Sequence, residues 1–269
     1  MADSLKHYKR FLTKWDSIRK LKKEPVTLIL SPHMDDVFLS LNSAIVSHKL
    51  GTNIIAINVF TATDSLVKTN VKSDFKALAN ASLTRMKEEL SYSDNLKTKK
   101  ISYLPLFLGF KDAAVDTYYQ FILAKQLKKA KIIGDKYVKK RAEELMFEEA
   151  IGSIMGQLES NIQYILAPMG IGDHLDHIML RNFAESLAND FRIGLYADIP
   201  YISEYNYNSI QKLKSAVPKS FSTYDKISFN AKEKTSLFKK MYASQYDSGI
   251  VKQLKDIETA TGEVIFWNR

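Results

Sequence analysis

Cysteine is absent from the chain. That excludes a disulfide-stapled secreted scaffold, thiolate metal ligation and a cysteine nucleophile. Glycine and proline are scarce, with 10 and 6 residues among 269, so collagen-like and low-complexity architectures do not fit. No apolar run approaches the roughly 18 residues that a membrane-spanning helix needs. The opening residues, Met-Ala-Asp-Ser-Leu-Lys-His-Tyr-Lys-Arg, carry charges where a secretory signal has its apolar core. These absences predict a soluble cytoplasmic protein without a membrane span. Histidine is rare too, five in all, so the places where it occurs are informative.

What is present suffices for a globular core: 45% of the residues are apolar. No internal repeat and no linker-like stretch divides the chain, so residues 1–269 are read as one domain, with an N-terminal helix at about 4–22 as an extension. The net charge of +9 comes from lysine groups at Lys20 to Lys23, Lys97 to Lys100, Lys125 to Lys129 and Lys139 to Arg141. A non-enzymatic basic binding module is one reading of that charge. The groups are interrupted and scattered, however, and no nucleic-acid motif accompanies them. They read as solvated surface, no nucleic-acid partner is expected, and a basic rim would favour an anionic substrate.

Short apolar runs at Pro25 to Ser31, Asn53 to Phe60, Ile101 to Leu108 and Ile162 to Pro168 predict strands buried on both faces. Between them, helical spacing is found over Val37 to Leu50, with Gly51 in the capping position, and over Ala77 to Leu96. Further helices are predicted at about 114–133, 138–158, 175–189 and 231–244, and strands at Ile193 to Ala197 and Val264 to Trp267. The stretches near 61–75, 109–120 and 199–225 carry no readable pattern and read as loops. Strand–helix alternation of this kind predicts a doubly wound, Rossmann-like α/β fold with a mostly parallel central sheet. In such sheets ligands bind beyond the carboxyl ends of the strands.

Two of those ends carry unusual chemistry. Ser31-Pro32-His33-Met34-Asp35-Asp36 leaves the first strand. His33 and Asp36, three residues apart across a strand-to-helix turn, can converge on one point, with Asp35 beside them. Taken alone, Asp35 or Asp36 could equally cap the next helix. Ala167-Pro168-Met169-Gly170-Ile171-Gly172-Asp173-His174-Leu175-Asp176-His177 leaves the strand that ends near Pro168. Its two glycines permit a sharp turn. Three of the five histidines thus sit at two strand ends, which favours a metal site. Two imidazoles and one carboxylate with open positions suit catalytic zinc. They are also the ligand set of non-haem iron enzymes, so Fe2+ or another divalent metal stays open. The extra carboxylate favours hydrolysis, which needs a base.

The paired motifs resemble the signature of the PIG-L/LmbE family of zinc-dependent de-N-acetylases, His-Pro-Asp-Asp followed by His-x-Asp-His. The resemblance extends from about Val26 to Gln245, through Arg85-Met-Lys-Glu88-Glu89, Leu195-Tyr-Ala-Asp198-Ile-Pro200-Tyr201 and Tyr242-Ala-Ser-Gln245. It implies an LmbE-like three-layer sandwich and removal of an acetyl group from an N-acetylated amino sugar. That sugar would be an N-acetylglucosamine-like unit of a glycoside, antibiotic intermediate, sugar–thiol precursor or glycan. It further implies that His33, Asp36 and His177 bind zinc, that Asp35 is the general base, and that His174 stabilises the oxyanion while Asp176 orients it. Arg85 could contact substrate or pair with Glu88 or Glu89 on its own helix, the latter being favoured. Asp112 could bind sugar hydroxyls, although an exposed turn residue is the simpler expectation. Tyr201 and Tyr242 could line a sugar pocket. His7 and His48 are expected on the surface, and a homo-oligomer is possible. Met34 stands where the family has proline, and Val37 where many members have glutamate.

Overall fold

The apolar run Val26–Ser31 becomes strand β1, with all six residues buried. Successive residues of a strand point to opposite faces, so both faces of β1 are covered. The computed structural model describes residues 24–64, 75–115, 146–158 and 161–268. The other strands are β2 (Asn53–Asn58), β3 (Ser102–Phe107), β4 (Ile162–Pro168), β5 (Ile193–Tyr196), β6 (Phe221–Ile227) and β7 (Glu263–Asn268). They form one seven-stranded sheet in the order β3-β2-β1-β4-β5-β7-β6. Pairings among β1 to β5 are parallel, whereas β7 runs antiparallel to both β5 and β6.

The helices are α1 (Asp36–Val46), α2 (Phe75–Lys97), α3 (Phe147–Leu158), α4 (Leu175–Ser186), α5 (Tyr201–Glu204), α6 (Ile210–Ala216), α7 (Ala231–Met241) and α8 (Gly249–Ala260). No helix among the described residues is long and apolar enough to cross a membrane. The core is continuous across the sheet, from Val26 and Leu28 in β1 through Phe147 and Leu158 in α3 to Phe266 and Trp267 in β7.

The predicted strands β1 to β5 and β7 are present with ends shifted by one or two residues. Helix α1 stops at Val46, earlier than expected. His48 takes the left-handed backbone at φ 58 and donates its N–H to Ile45 O, so it turns the chain before Gly51 is reached. The stretch 199–225 is not a loop. It holds α5, α6 and the start of β6, whose burial is confined largely to its two ends. An edge strand so exposed has little apolar pattern to read. Helix α8 was not predicted either. The predicted helix at 4–22 and most of that at 114–133 lie outside the described residues.

One buried ion pair ties the antiparallel end of the sheet to α1. Glu263 of β7 accepts from the backbone N–H groups of Ser43 and Ala44 at 2.9 Å each, and Lys234 of α7 donates to it at 2.6 Å. Both side chains are buried. Charges taken out of water persist only when paired and hydrogen-bonded in this way.

Candidate metal centre

The sheet order fixes where a site can form. From β1 the chain winds outward through β2 to β3, then crosses back to β4 on the other side of β1. The gap beyond the carboxyl ends of β1 and β4 is the point at which the winding reverses, the usual ligand crevice of such sheets. The segments Pro32 to Asp36 and Met169 to His177 leave those two ends.

The second of these is a turn of left-handed residues: Gly170 at φ +73, Gly172 at φ +93 and Asp173 at φ 55. A β-carbon on Gly172 would come within 3.1 Å of both the Tyr201 and the Tyr205 rings. Glycine is therefore required here by backbone angle and by space. The turn delivers His174 to the start of α4 and His177 one turn later.

Around Asp36 the imidazoles converge. Its Oδ2 lies 3.2 Å from His33 Nδ1 and 3.5 Å from His177 Nε2, and it accepts the His33 backbone N–H at 2.8 Å. Each ring is held by its other nitrogen. His33 Nε2 lies 3.3 Å from Asp176 Oδ2, and His177 Nδ1 lies 2.8 Å from Asp198 Oδ1. Asp198 Oδ2 in turn accepts from Ile171 N at 2.8 Å, and Asp176 Oδ2 from Ala113 N at 2.8 Å. A carboxylate on one ring nitrogen fixes the tautomer that leaves a lone pair on the other. His33 Nδ1 and His177 Nε2 therefore face Asp36 as potential ligands. His177 Nε2 is buried and makes no hydrogen bond among the described residues, which is the mark of an atom reserved for something else. The donor atoms of His33, Asp36 and His177 lie within 4.8 Å of one another, and this set fits a divalent cation. A neighbouring group, His33, Asp112, His174 and Asp176, meets the same distance.

The surroundings are strongly polarised. Burial works to raise the pKa of Asp36, but the adjacent His177 and His33 outweigh it and hold the carboxyl below the usual range. Burial alone would lower the pKa values of His33 and His177. The nearby carboxylates, Asp112 and Asp176 for His33 and Asp36 and Asp198 for His177, raise both instead. His174 goes the other way, lowered by burial and by the positive charge of its two histidine neighbours, so it is a neutral imidazole at pH 7. Its Nδ1 is buried without a hydrogen-bond partner.

Because ligand nitrogens must be deprotonated, a cation has to displace protons from His33 and His177. Its affinity should rise with pH, by up to about a hundredfold per unit if two protons leave together. Calorimetric zinc titrations between pH 5.5 and 8, with the proton release measured from buffer ionisation heats, would check this.

Several expectations change in detail. Neither Asp35 nor Asp36 caps α1. Asp35 stands at the N-cap without a side-chain cap bond, and it accepts a short hydrogen bond from Arg85 Nη2. Arg85 thus pairs with Asp35, not with Glu88 or Glu89. Glu88 accepts from Ser244 N and Oγ. Asp176 is expected to orient His174, but its Oδ2 lies against His33, so it braces that ring, and neither its Oδ1 nor His174 Nδ1 has a hydrogen-bond partner among the described residues. Asp112 is buried, not an exposed turn residue; its Oδ2 accepts from Thr63 Oγ1 at 2.9 Å and its Oδ1 lies 3.7 Å from His33 Nε2. The Tyr201 ring lies edge-on to His177 with centroids 5.4 Å apart. Tyr242 is buried in the core rather than in a pocket. His48 is exposed as expected, and His7 lies outside the described residues. In the sequence Asp198 stands out only as part of a segment. Its place at the exit of β5 was the available signal.

Behind Arg85, one helical turn on, Glu89 is fully buried and accepts from the hydroxyls of Tyr103 at 2.6 Å and Tyr242 at 2.5 Å. Burial outweighs those two donors and pushes its pKa up to about 7. Between the usual glutamate value and 7 the folded state holds a proton that the unfolded chain has lost. Stability should fall as pH rises through that window, by about 3 kcal/mol in total. Glu89→Gln, which mimics the neutral acid, should remove this dependence. Denaturant melts of both proteins at pH 4.5, 6 and 8 would show their curves diverging as pH rises.

No protein-family model matches the sequence, and no curated protein gives a significant sequence match. Solved structures do match. The A40926 pseudoaglycone deacetylase Dbv21 superposes with a TM-score of 0.56 at 18% identity, covering 90% of this chain and 96% of that one. The two chains share a fold. A deacetylase–teicoplanin complex aligns with a TM-score of 0.53 at 16% identity, over 90% of this chain and 97% of the other. The zinc-inhibited form of teicoplanin deacetylase Orf2 aligns over the same shares at 0.51 and 16%. The α/β architecture with a mostly parallel sheet, expected from the strand–helix alternation, is thereby established.

Proposed function

We propose that this chain is a metal-dependent hydrolase of the PIG-L/LmbE family that removes the acetyl group from an N-acetylated amino sugar, and that His33, Asp36 and His177 hold its cation. One observation carries the reading. Two imidazoles, each tied to a carboxylate through one nitrogen, present the other to a single oxygen of Asp36 at the reversal point of the sheet. Deacetylases sharing this fold lend it support, since Dbv21 and Orf2 bear that activity in their names.

A divalent cation in such a site supplies Lewis acidity, polarising a carbonyl and bringing the pKa of a water close to 7. The chain's own residues do the rest. Asp35 takes the proton of the attacking water. Arg85 engages its Oδ1, which fixes the carboxylate and leaves the second oxygen for the proton. The charge that then develops on the acetamide oxygen meets a neutral N–H donor on His174. A preorganised donor of that kind is worth about 3–4 kcal/mol in the transition state. Asp35 then passes its proton to the leaving amine, and acetate and a free amino sugar depart. Asp176 and Asp198 hold the ligand rings in the required tautomer throughout. Asp112, Arg85 and Tyr201 would contact the sugar.

Zinc-loaded protein offered a panel of N-acetyl sugars should release equal amounts of acetate and primary amine. Oxygen consumption without acetate release would point instead to a non-haem iron enzyme built on the same ligands. Salt-sensitive nucleic-acid binding without turnover would point to a basic binding module.

A further inference from the structure

The wall beside the proposed cation site continues outward. Tyr201 and Tyr205 stand one helical turn apart, and Tyr205 N donates to Tyr201 O at 2.9 Å. Residues at this spacing share a face, with side-chain origins about 5–6 Å apart, close to the length of one sugar ring. Tyr201 is the inner rung: its ring centroid lies 5.4 Å from that of His177 and 6.2 Å from that of His174. Tyr205 is the outer rung, with 51% of its surface exposed. Both rings close on the same spot, since a β-carbon on Gly172 would stand 3.1 Å from Tyr201 Cδ1 and 3.1 Å from Tyr205 Cε2. Glycine at position 172 therefore keeps both rungs against the turn that delivers His174.

We propose that Tyr205 is a specificity-determining residue that takes the sugar ring joined to the acetylated unit, so that the substrate is a glycoside of at least two rings and not a free N-acetyl monosaccharide. This rests on the deacetylase reading of the neighbouring site. A pyranose presents an apolar C–H face and a polar edge. An exposed tyrosine has the matching form, a flat apolar body with a hydroxyl at its tip, and loses little rotamer freedom when covered. The acetylated unit itself would lie one rung inward, against Tyr201, with its acetamide toward His174.

Binding can be separated from turnover by calorimetry on zinc-loaded Asp35→Asn protein with N-acetylglucosamine and N,N′-diacetylchitobiose. The disaccharide should bind at least about tenfold more tightly. Adding Tyr205→Ser should abolish most of that ratio while changing monosaccharide affinity less than about twofold, and Tyr205→Trp should preserve it. Equal affinities for the two sugars, absence of binding by both, or equal weakening of both by Tyr205→Ser would overturn the proposal. Acetate release by the unsubstituted protein, assayed alongside, judges the hydrolase reading separately. No release with the ratio intact removes that reading and leaves the platform; release without the ratio removes the platform alone.

Discussion

Replacing Asp35 by asparagine should leave the protein folded and loaded with one equivalent of cation, yet lower acetate release by about 10²–10⁴-fold. The substitution keeps the shape of the side chain and removes its ability to take a proton. Asparagine can still accept from Arg85 through its carbonyl, so the buried guanidinium keeps a partner. The loss should fall on kcat with KM little changed, because a proton transfer is felt in the transition state and not in the bound substrate. Metal content by elemental analysis and steady-state kinetics would be measured on the same preparation. A variant with full activity would remove Asp35 from the chemistry. A variant without metal would make it a ligand.

His177→Ala should have an equally large effect for a different reason. It deletes a donor atom, so the variant should retain no stoichiometric zinc after dialysis against a weak chelator, and activity should vanish with it. The neighbouring carboxylates then lose a cationic ring that offsets them. Asp36 is held low by His177 in the first place among its favourable contacts, so its pKa should move up in the variant. Retention of one zinc per chain would contradict the assignment of His177. Asp198→Asn offers a graded control, because disturbing the residue that orients a ligand ring typically costs 10–100-fold in affinity without abolishing binding.

The place of the candidate site was legible because histidine is scarce and three of five fall at two strand ends, and because the strands there are uninterrupted apolar runs. What the sequence hid were partners distant along the chain. Nothing near Arg85 announces Asp35, 50 residues away, as its partner, and its own helix offers two nearer glutamates. The tethering of His177 by Asp198 depends on β5 lying beside β4, which the strand order alone decides. Asp112 read as a surface turn residue because local context is polar. Its burial comes from packing between Thr63 and the histidines. The edge strand β6 and helix α8 escaped notice since half-exposed elements carry diluted periodicity.

The order of strands in the sheet has a consequence for how the protein matures. His33 and Asp36 come from the first strand's exit, whereas His177 and its tether Asp198 lie beyond the exits of β4 and β5, which pair in order on the far side of β1. An N-terminal fragment lacking those strands would own two of three donors and should grip zinc no better than an unstructured peptide does. If these residues hold the cation as proposed, its capture would require β1, β4 and β5 to have come together. By mass action the captured ion should raise the melting temperature of the finished protein, and a chelator would return it to the lower, metal-free value.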